Sequence, residues 1–269
     1  MVRLAFALIA LVAALPAFAQ PAEEPERCPR FVADAAPPTP LVRVAYAEPV
    51  QARAGDVQLT YVGHATFLIE SPAGVTIATD YNGEVKPSVV PLIATMNRAH
   101  QTHYTLAPDP GIKYVLHGWG DDGRPVDHRL TVKDVWIRNV TTNIRAEMGG
   151  GRDQNSIFVF EVAGICIAHL GHLHHKLTPE HLKALGRIDV ALAPVDRGLT
   201  LNVDDMIEVL KSIGAPMVIP MHFFTTGSLE QFIARLDGPY VIKRSGSPHV
   251  TLTRDSLPIK PTVVVLPGY

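Results

Sequence analysis

Residues Ala94–Thr105 read ATMNRAHQTHYT, and the fold turns on how this stretch is understood. The apolar run Val89–Thr95 leads into it, and His100 and His103 stand three apart just beyond. Three readings compete: a metal motif, an altered metal motif, or two histidines in a surface loop. The surrounding chain has to decide.

Upstream, DVQLTYVG, TFLIESPAG and GVTIATDYNG follow one another with Gly and Pro punctuation. They predict three strands joined by short turns, with Ser71-Pro72-Ala73-Gly74 as a hairpin connection. Downstream, KYVLHGW, HRLTVKD and VWIRNVTTNI predict further strands, and EMGGGRDQNS a glycine-rich loop. SIFVFEVAG and ICIAHLG predict two more strands with a glycine turn between them. Helices then alternate with strands. TPEHLKALG has Thr178 as N-cap, Pro179 at the first helical position and Gly186 as the stop. NVDDMIEVLKSIG is capped by Asn202, with Val203, Met206, Ile207 and Leu210 on one face. SLEQFIARLDG predicts a third helix, between the strands DVALAPV and APMVIPMHFF and the final strands HVTLTRD and TVVVL. Strands that dominate the first half and β–α alternation in the second suit two packed sheets with helices outside. The expected class is α/β, a four-layer αββα sandwich over residues 56–269.

The 12 histidines are not scattered. His64 follows the first strand, and His100 and His103 follow the fourth. His169, His172, His174 and His175 gather at the end of ICIAHLG, and His222 ends VIPMH. Asp80 ends GVTIATD and Asp196 follows DVALAPV. Polar ligand-type residues thus recur at the C-terminal ends of separate apolar strands, where loops on a rigid scaffold converge. His117, His128, His181 and His249 read as ordinary hydrogen-bonded residues. Within HLGHLHH, alternation puts His172 and His174 on one side and His175 on the other. His172 is expected to enter the site, with His174 and His175 outside it or behind it.

Composition removes some classes. The chain has 269 residues, 47% hydrophobic and 19% charged, with formal net charge −2. No basic field or Lys/Arg cluster points to nucleic acid. Residues 1–19, MVRLAFALIALVAALPAFA, have the basic start, short apolar run and Ala-Phe-Ala ending of a cleavable signal peptide. Pro16 and the short apolar run argue against a lasting membrane span. The expected location is periplasmic or secreted. Residues 20–55, rich in Pro, Ala and Glu, read as an extended arm. An exported chain can form a disulfide, but Cys166 lies inside the apolar VAGICIAHL, so a buried thiol is the expected state. Two cysteines cannot build a Cys-rich metal site, so any ion must be held by His and carboxylate.

Taken in order, GHATFLIE, GVTIATD, the histidine stretch after the fourth strand, Gly171-His172 and VIPMH resemble the metallo-β-lactamase superfamily, in its lactonase-like and phosphodiesterase-like branch. The resemblance covers about Val57 to Phe224. That family carries His-x-His-x-Asp-His after the fourth strand. With His103 on the last histidine, His100 falls on the second, Arg98 on the first and Thr102 on the aspartate. Where the family has Gly-Asp, Gly171 is followed by His172. The late histidine corresponds to His222. Asn143 is nearest to the family's mid-chain histidine, with His169 as a substitute ligand. The resemblance therefore implies an altered metal motif.

The surviving imidazoles, His100, His103, His172 and His222, suffice for one divalent ion. Zn²⁺ comes first, with Fe or another imidazole-preferring metal as the alternative. Such an ion acidifies a bound water, and the metal-bound hydroxide would attack an ester, lactone or phosphodiester. Asp80 and Asp196 are the candidate general bases, although Asp80 equally suits a turn before Tyr81-Asn82-Gly83. Arg98 could clamp an anionic group of a small substrate, or form a structural ion pair. His64 and Thr102 would orient ligands, or His64 would be a turn residue. The competing functions are a binding protein for a small anion, metal or partner that keeps the fold without catalysis, and a redox metalloprotein. β-Lactam hydrolysis does not suit this ligand set.

Overall fold

A computed structural model describes residues 28, 55–98, 100–120, 124–145, 151–236, 238 and 240–268. The expected signal peptide, residues 1–19, and, apart from Cys28 and Gly55, the expected arm, residues 20–55, lie outside the described residues.

Fourteen strands and three helices are present among the described residues. The first sheet takes β1 (Val57–Gly63), β2 (Thr66–Glu70), β3 (Thr76–Ala78), β4 (Ile93–Met96), β5 (Tyr114–His117) and β13 (His249–Leu252), in the order β13-β1-β2-β3-β4-β5. The second has β6 (Arg129–Val132), β7 (Val135–Thr142), β8 (Asn155–Val162), β9 (Ile165–His169), β10 (Val190–Pro194), β11 (Met217–Met221), β12 (Val241–Arg244) and β14 (Thr262–Val265). Its order is β12-β14-β11-β10-β9-β8-β7-β6. Strands β3, β4 and β5 run parallel, as do β9, β10 and β11. Their C-terminal ends therefore share an edge within each sheet.

The burial pattern follows from the sequence. β1 alternates buried and half-buried residues, as a strand with one face on the core must. β8, β9, β10 and β11 are buried throughout, because both of their faces are covered. Between the sheets, Leu59, Phe67, Ile69 and Ile77 of the first meet Ile137, Phe158, Phe160 and Ile219 of the second. The outer face of the second sheet packs on Leu185 of α1 (Pro179–Leu185), on Met206, Ile207 and Leu210 of α2 (Val203–Ile213), and on Leu229 and Phe232 of α3 (Thr226–Arg235). The outer face of the first sheet, Ala78, Ala94 and Met96, is covered by Tyr81, Ile112 and Trp119 from loops. This is the α/β sandwich expected, with its outer layer on that side made of loop among the described residues.

Thr178 and Asn202 cap α1 and α2 at their expected places, each accepting a backbone N–H. α3 begins at Thr226, capped by Thr225, two residues before the expected start. β12 has no counterpart in the sequence reading. Its four residues, VIKR, are all exposed, so no apolar alternation marks it.

The cysteine expectation is corrected. Cys28 and Cys166 form a disulfide, with Cα atoms 6.4 Å apart. The apolar run around Cys166 shows that the thiol is buried, but it carries no information about what reaches it from the arm. Cys28 arrives by docking its carbonyl on the backbone N–H of Arg187 at 3.2 Å.

Candidate metal centre

The two sheets are tied at the edge where the ligand-type residues gather. His64, one residue past β1, and His222, one past β11, both adopt left-handed φ angles of 52° and 56°. The backbone N–H of His222 donates to the carbonyl of His64 at 2.7 Å. Asp80, two residues past β3, is also left-handed at 41°. Non-glycine residues in this region are held there at a cost and cluster at functional sites. Here each one turns the chain sharply off a strand end.

Four imidazoles meet at this edge: His100, His103, His172 and His222, whose candidate ligand atoms lie within 4.8 Å of one another. His103, His172 and His222 are fully buried, while His100 is half-buried. Nε2 of His100 is 3.1 Å from Nε2 of His172, and Nε2 of His103 is 3.0 Å from Nε2 of His222. Every ring has a partner behind it, at Nδ1. Thr102 Oγ1 stands 2.7 Å from His100 Nδ1, and Asp80 Oδ2 stands 2.6 Å from His103 Nδ1. Asp196 Oδ2 stands 2.6 Å from His222 Nδ1, and His174 Nε2 contacts His172 Nδ1. The His222–Asp196 pair is buried at ion-pair distance, with Asp196 Oδ2 placed to accept from His222 Nδ1.

The aspartates are held in turn. Asn97 Nδ2 donates to Asp80 Oδ1 at 2.8 Å, and the backbone of Gly198 and Thr200 donates to Asp196. Burial lowers the basicity of His100, His103 and His172, and neighbouring histidines lower that of His103 and His172 further. His64 is lowered to about 4, first by burial and then by the charge of His222. Burial pushes the Asp80 carboxyl up, so the ion-free Asp80–His103 pair leans toward its neutral forms. Asp196 is also pushed up by burial, but its His222 contact and backbone donors outweigh that and hold it low.

This donor set fits a divalent ion. Four imidazole nitrogens converge within 4.8 Å of one another, three of them on fully buried rings, and nitrogen donors of this kind suit a divalent ion. Imidazoles backed by carboxylates are the usual construction of such sites. The charge balance also fits. Neutral imidazoles leave a dication uncompensated, but Asp80 and Asp196 stand directly behind two of them. The negative charge absent from the altered motif is therefore supplied one layer further out.

The remaining expected residues are placed elsewhere or differently. Asp80 and Asp196, the expected general bases, each face a histidine Nδ1, an arrangement that orients the ring. His169 stands outside the cluster: its Nε2 donates to the carbonyl of Ala65 at 2.8 Å, tying β9 to the first sheet. Asn143 is exposed and accepts from the backbone N–H of Asp153 at 3.1 Å. Arg98 is exposed, with its guanidinium 5.9 Å from the centre of the Trp119 ring. His64 packs on the cluster, 4.3 Å from His222 and 4.9 Å from His103 between ring centres. His175 is exposed, whereas His174 is buried behind His172. Asn97 and Asn155 were not anticipated. Asn155 Oδ1 accepts from the backbone N–H of His172 at 2.7 Å. The signal for both is weak, since each asparagine reads as turn chemistry beside a strand.

The sequence profile of the beta-lactamase superfamily domain matches residues 58–222, and the chain belongs to that superfamily. It is similar to a metal-dependent hydrolase of Methanoculleus marisnigri, 24% identical over 196 residues, covering 65% of this chain and 84% of that one. A metal-dependent hydrolase of Salinibacter ruber is 25% identical over 201 residues, covering 65% and 88%. Among solved structures, a protein of Thermotoga maritima described as a Zn-dependent hydrolase of the metallo-β-lactamase superfamily aligns with TM-score 0.59 and 30% identity. That alignment covers 79% of this chain and all of the other. Among the described residues, no helix is long and apolar enough to cross a membrane.

Proposed function

We propose that this chain is an exported metal-dependent hydrolase with a single-ion centre, acting on a small ester, lactone or phosphodiester. The observation that carries the reading is the convergence of four imidazoles whose Nδ1 atoms are each backed by a separate partner. Relatives described as metal-dependent hydrolases support the reaction class.

When bound, a divalent ion would supply Lewis acidity, activating water and polarising the scissile group. The protein does the rest. Asp80 and Asp196 fix the rings of His103 and His222, and burial keeps three of the four imidazoles out of bulk water. His100, half-buried, marks the open side. Phe224, 58% exposed, lies 5.6 Å from His64 and 5.3 Å from His222 between ring centres and offers an apolar wall beside the cluster. Arg98, two residues before His100, is the available cation for an anionic substrate group. Zn²⁺ is the first choice of ion, and iron suits the same imidazoles.

Export is supported by the signal-like residues 1–19 and by the disulfide, since disulfides persist in oxidising compartments. Elemental analysis of the purified mature protein, beside His222→Ala, tests the centre. About one equivalent of zinc or iron, lost in the variant, is expected, with turnover of at least one ester, lactone or phosphodiester class. No ion uptake and no turnover after loading would leave the fold as a binding protein.

A further inference from the structure

The four inward Nε2 atoms look alike until the groups behind them are sorted into donors and acceptors. The backbone N–H of Arg145 donates to Nδ1 of His174 at 3.0 Å. An amide nitrogen can only donate, so this Nδ1 holds a lone pair. Neutral His174 then carries its proton on Nε2, the atom that meets Nδ1 of His172. That contact makes His172 Nδ1 the acceptor and leaves the proton of His172 on Nε2, facing the cluster. Nε2 of His100, 3.1 Å away, accepts it, and His100 donates from Nδ1 to Thr102 Oγ1 at 2.7 Å. The Arg145 backbone amide thus fixes the direction of the chain from His174 to Thr102.

Behind His103 and His222 the logic is reversed. With an ion beside them Asp80 and Asp196 would both be carboxylates, which accept, so the proton would sit on Nδ1 and the lone pair on Nε2. His100, whose Nδ1 donates, also has its lone pair on Nε2. The cluster therefore offers three lone pairs and one N–H.

We propose that His100, His103 and His222 hold the ion, and that His172 is a hydrogen-bond donor aimed at the ion's open position. The inference rests on the single-ion reading above. It also resolves a difficulty within it. Four imidazoles around a tetrahedral ion close the site, whereas catalytic sites keep three protein ligands and an open place. A fixed N–H at that place would bind a substrate oxygen and favour the charge that builds on it during acyl or phosphoryl transfer. His174 is the positioning residue, acting only through His172. For His172 to bind the ion through Nε2 its proton would have to move to Nδ1, and His174 would then have to turn a lone pair toward it and give up the bond from the Arg145 amide.

The test uses the loaded full chain. X-ray absorption of the Zn²⁺ form counts imidazoles, and chelator competition compares His172→Gln with His222→Gln. Three imidazoles are expected, with His172→Gln keeping its ion within about tenfold of the wild-type affinity. His222→Gln should lose more than the roughly 100-fold that an orienting partner costs. Four imidazoles, or a loss in His172→Gln as large as in His222→Gln, would overturn the proposal. If the wild type takes up no ion, the single-ion reading falls separately. Nitrogen-15 spectra of the ion-free chain then decide the tautomer: a proton on Nε2 of His172 is expected, and one on Nδ1 overturns the assignment.

Discussion

Nε2 of His103 and Nε2 of His222 stand 3.0 Å apart, and each ring has a carboxylate 2.6 Å behind it. The two rings come from different sheets, His103 from the loop after β4 and His222 from the end of β11. The sandwich edge and the candidate metal centre are thus built by the same contacts. Holding ion ligands on separate sheets makes the site report on the packing between them.

Replacing Asp196 by Asn keeps the shape behind His222 and removes the charge. The ion affinity should fall by about 10–100-fold, the usual cost of losing an orienting carboxylate. Chelator competition at fixed pH measures it. An unchanged affinity would mean that the backbone donors to Asp196, rather than its contact with His222, account for its placement.

Gly171 precedes His172 at a φ of 60°, and an added Cβ would lie 2.5 Å from Asn155 Oδ1 and 2.6 Å from Asn97 Nδ2. Asn155 anchors the backbone of His172, and Asn97 anchors Asp80. Gly171→Ala should therefore disturb two sides of the cluster at once. A stability loss of roughly 1–3 kcal/mol is expected from strain and overpacking. Denaturant unfolding would show it, and a loss below about 0.5 kcal/mol would mean that the loop relaxes freely.

Much of this site was legible because the histidines fall at strand ends. His100, His103 and His222 each follow an apolar strand, and the parallel pairs within each sheet bring such ends together. The roles behind the rings were not legible. Asp80 and Asp196 looked like bases because sequence shows a carboxylate near a site, not the atom it faces. His174 was placed outside the site or behind it, and the Arg145 backbone amide shows which of its nitrogens accepts. Arg98 matched a ligand position by spacing, yet its guanidinium lies over Trp119. Long-range partners carry no local pattern, which is why Cys28 and Cys166 also escaped pairing.

The ion-free chain should lose stability in mild acid. His103, His169 and His172 are fully buried, and burial lowers their proton affinity below the ordinary value of 6.5. Below that pH the unfolded chain takes up protons that the folded chain refuses, so the folded state is penalised as pH falls. Above it both states are neutral and the full stability is present. Each such group costs about 1 kcal/mol between pH 6.5 and 5.5. Urea midpoints of chelator-stripped protein should drop over that interval, and a flat profile would mean these histidines relax into protonated forms.

The disulfide supports the second sheet from outside. Cys166 lies in β9, three residues before His169, and its partner lies 138 residues away in sequence. A closure this long restricts the unfolded chain strongly, and losing it costs about 2–5 kcal/mol. The docking is specific: Gly186 has a φ of 63°, and a Cβ there would meet the Cys28 carbonyl at 2.4 Å. Cys28→Ser should lower the melting temperature by roughly 2–4 °C for each kcal/mol lost. Reductant should shift the wild type by a similar amount and leave the variant unchanged. A wild type indifferent to reductant under conditions that open the bond would mean that docking at Arg187, and not the covalent link, holds Cys28 in place.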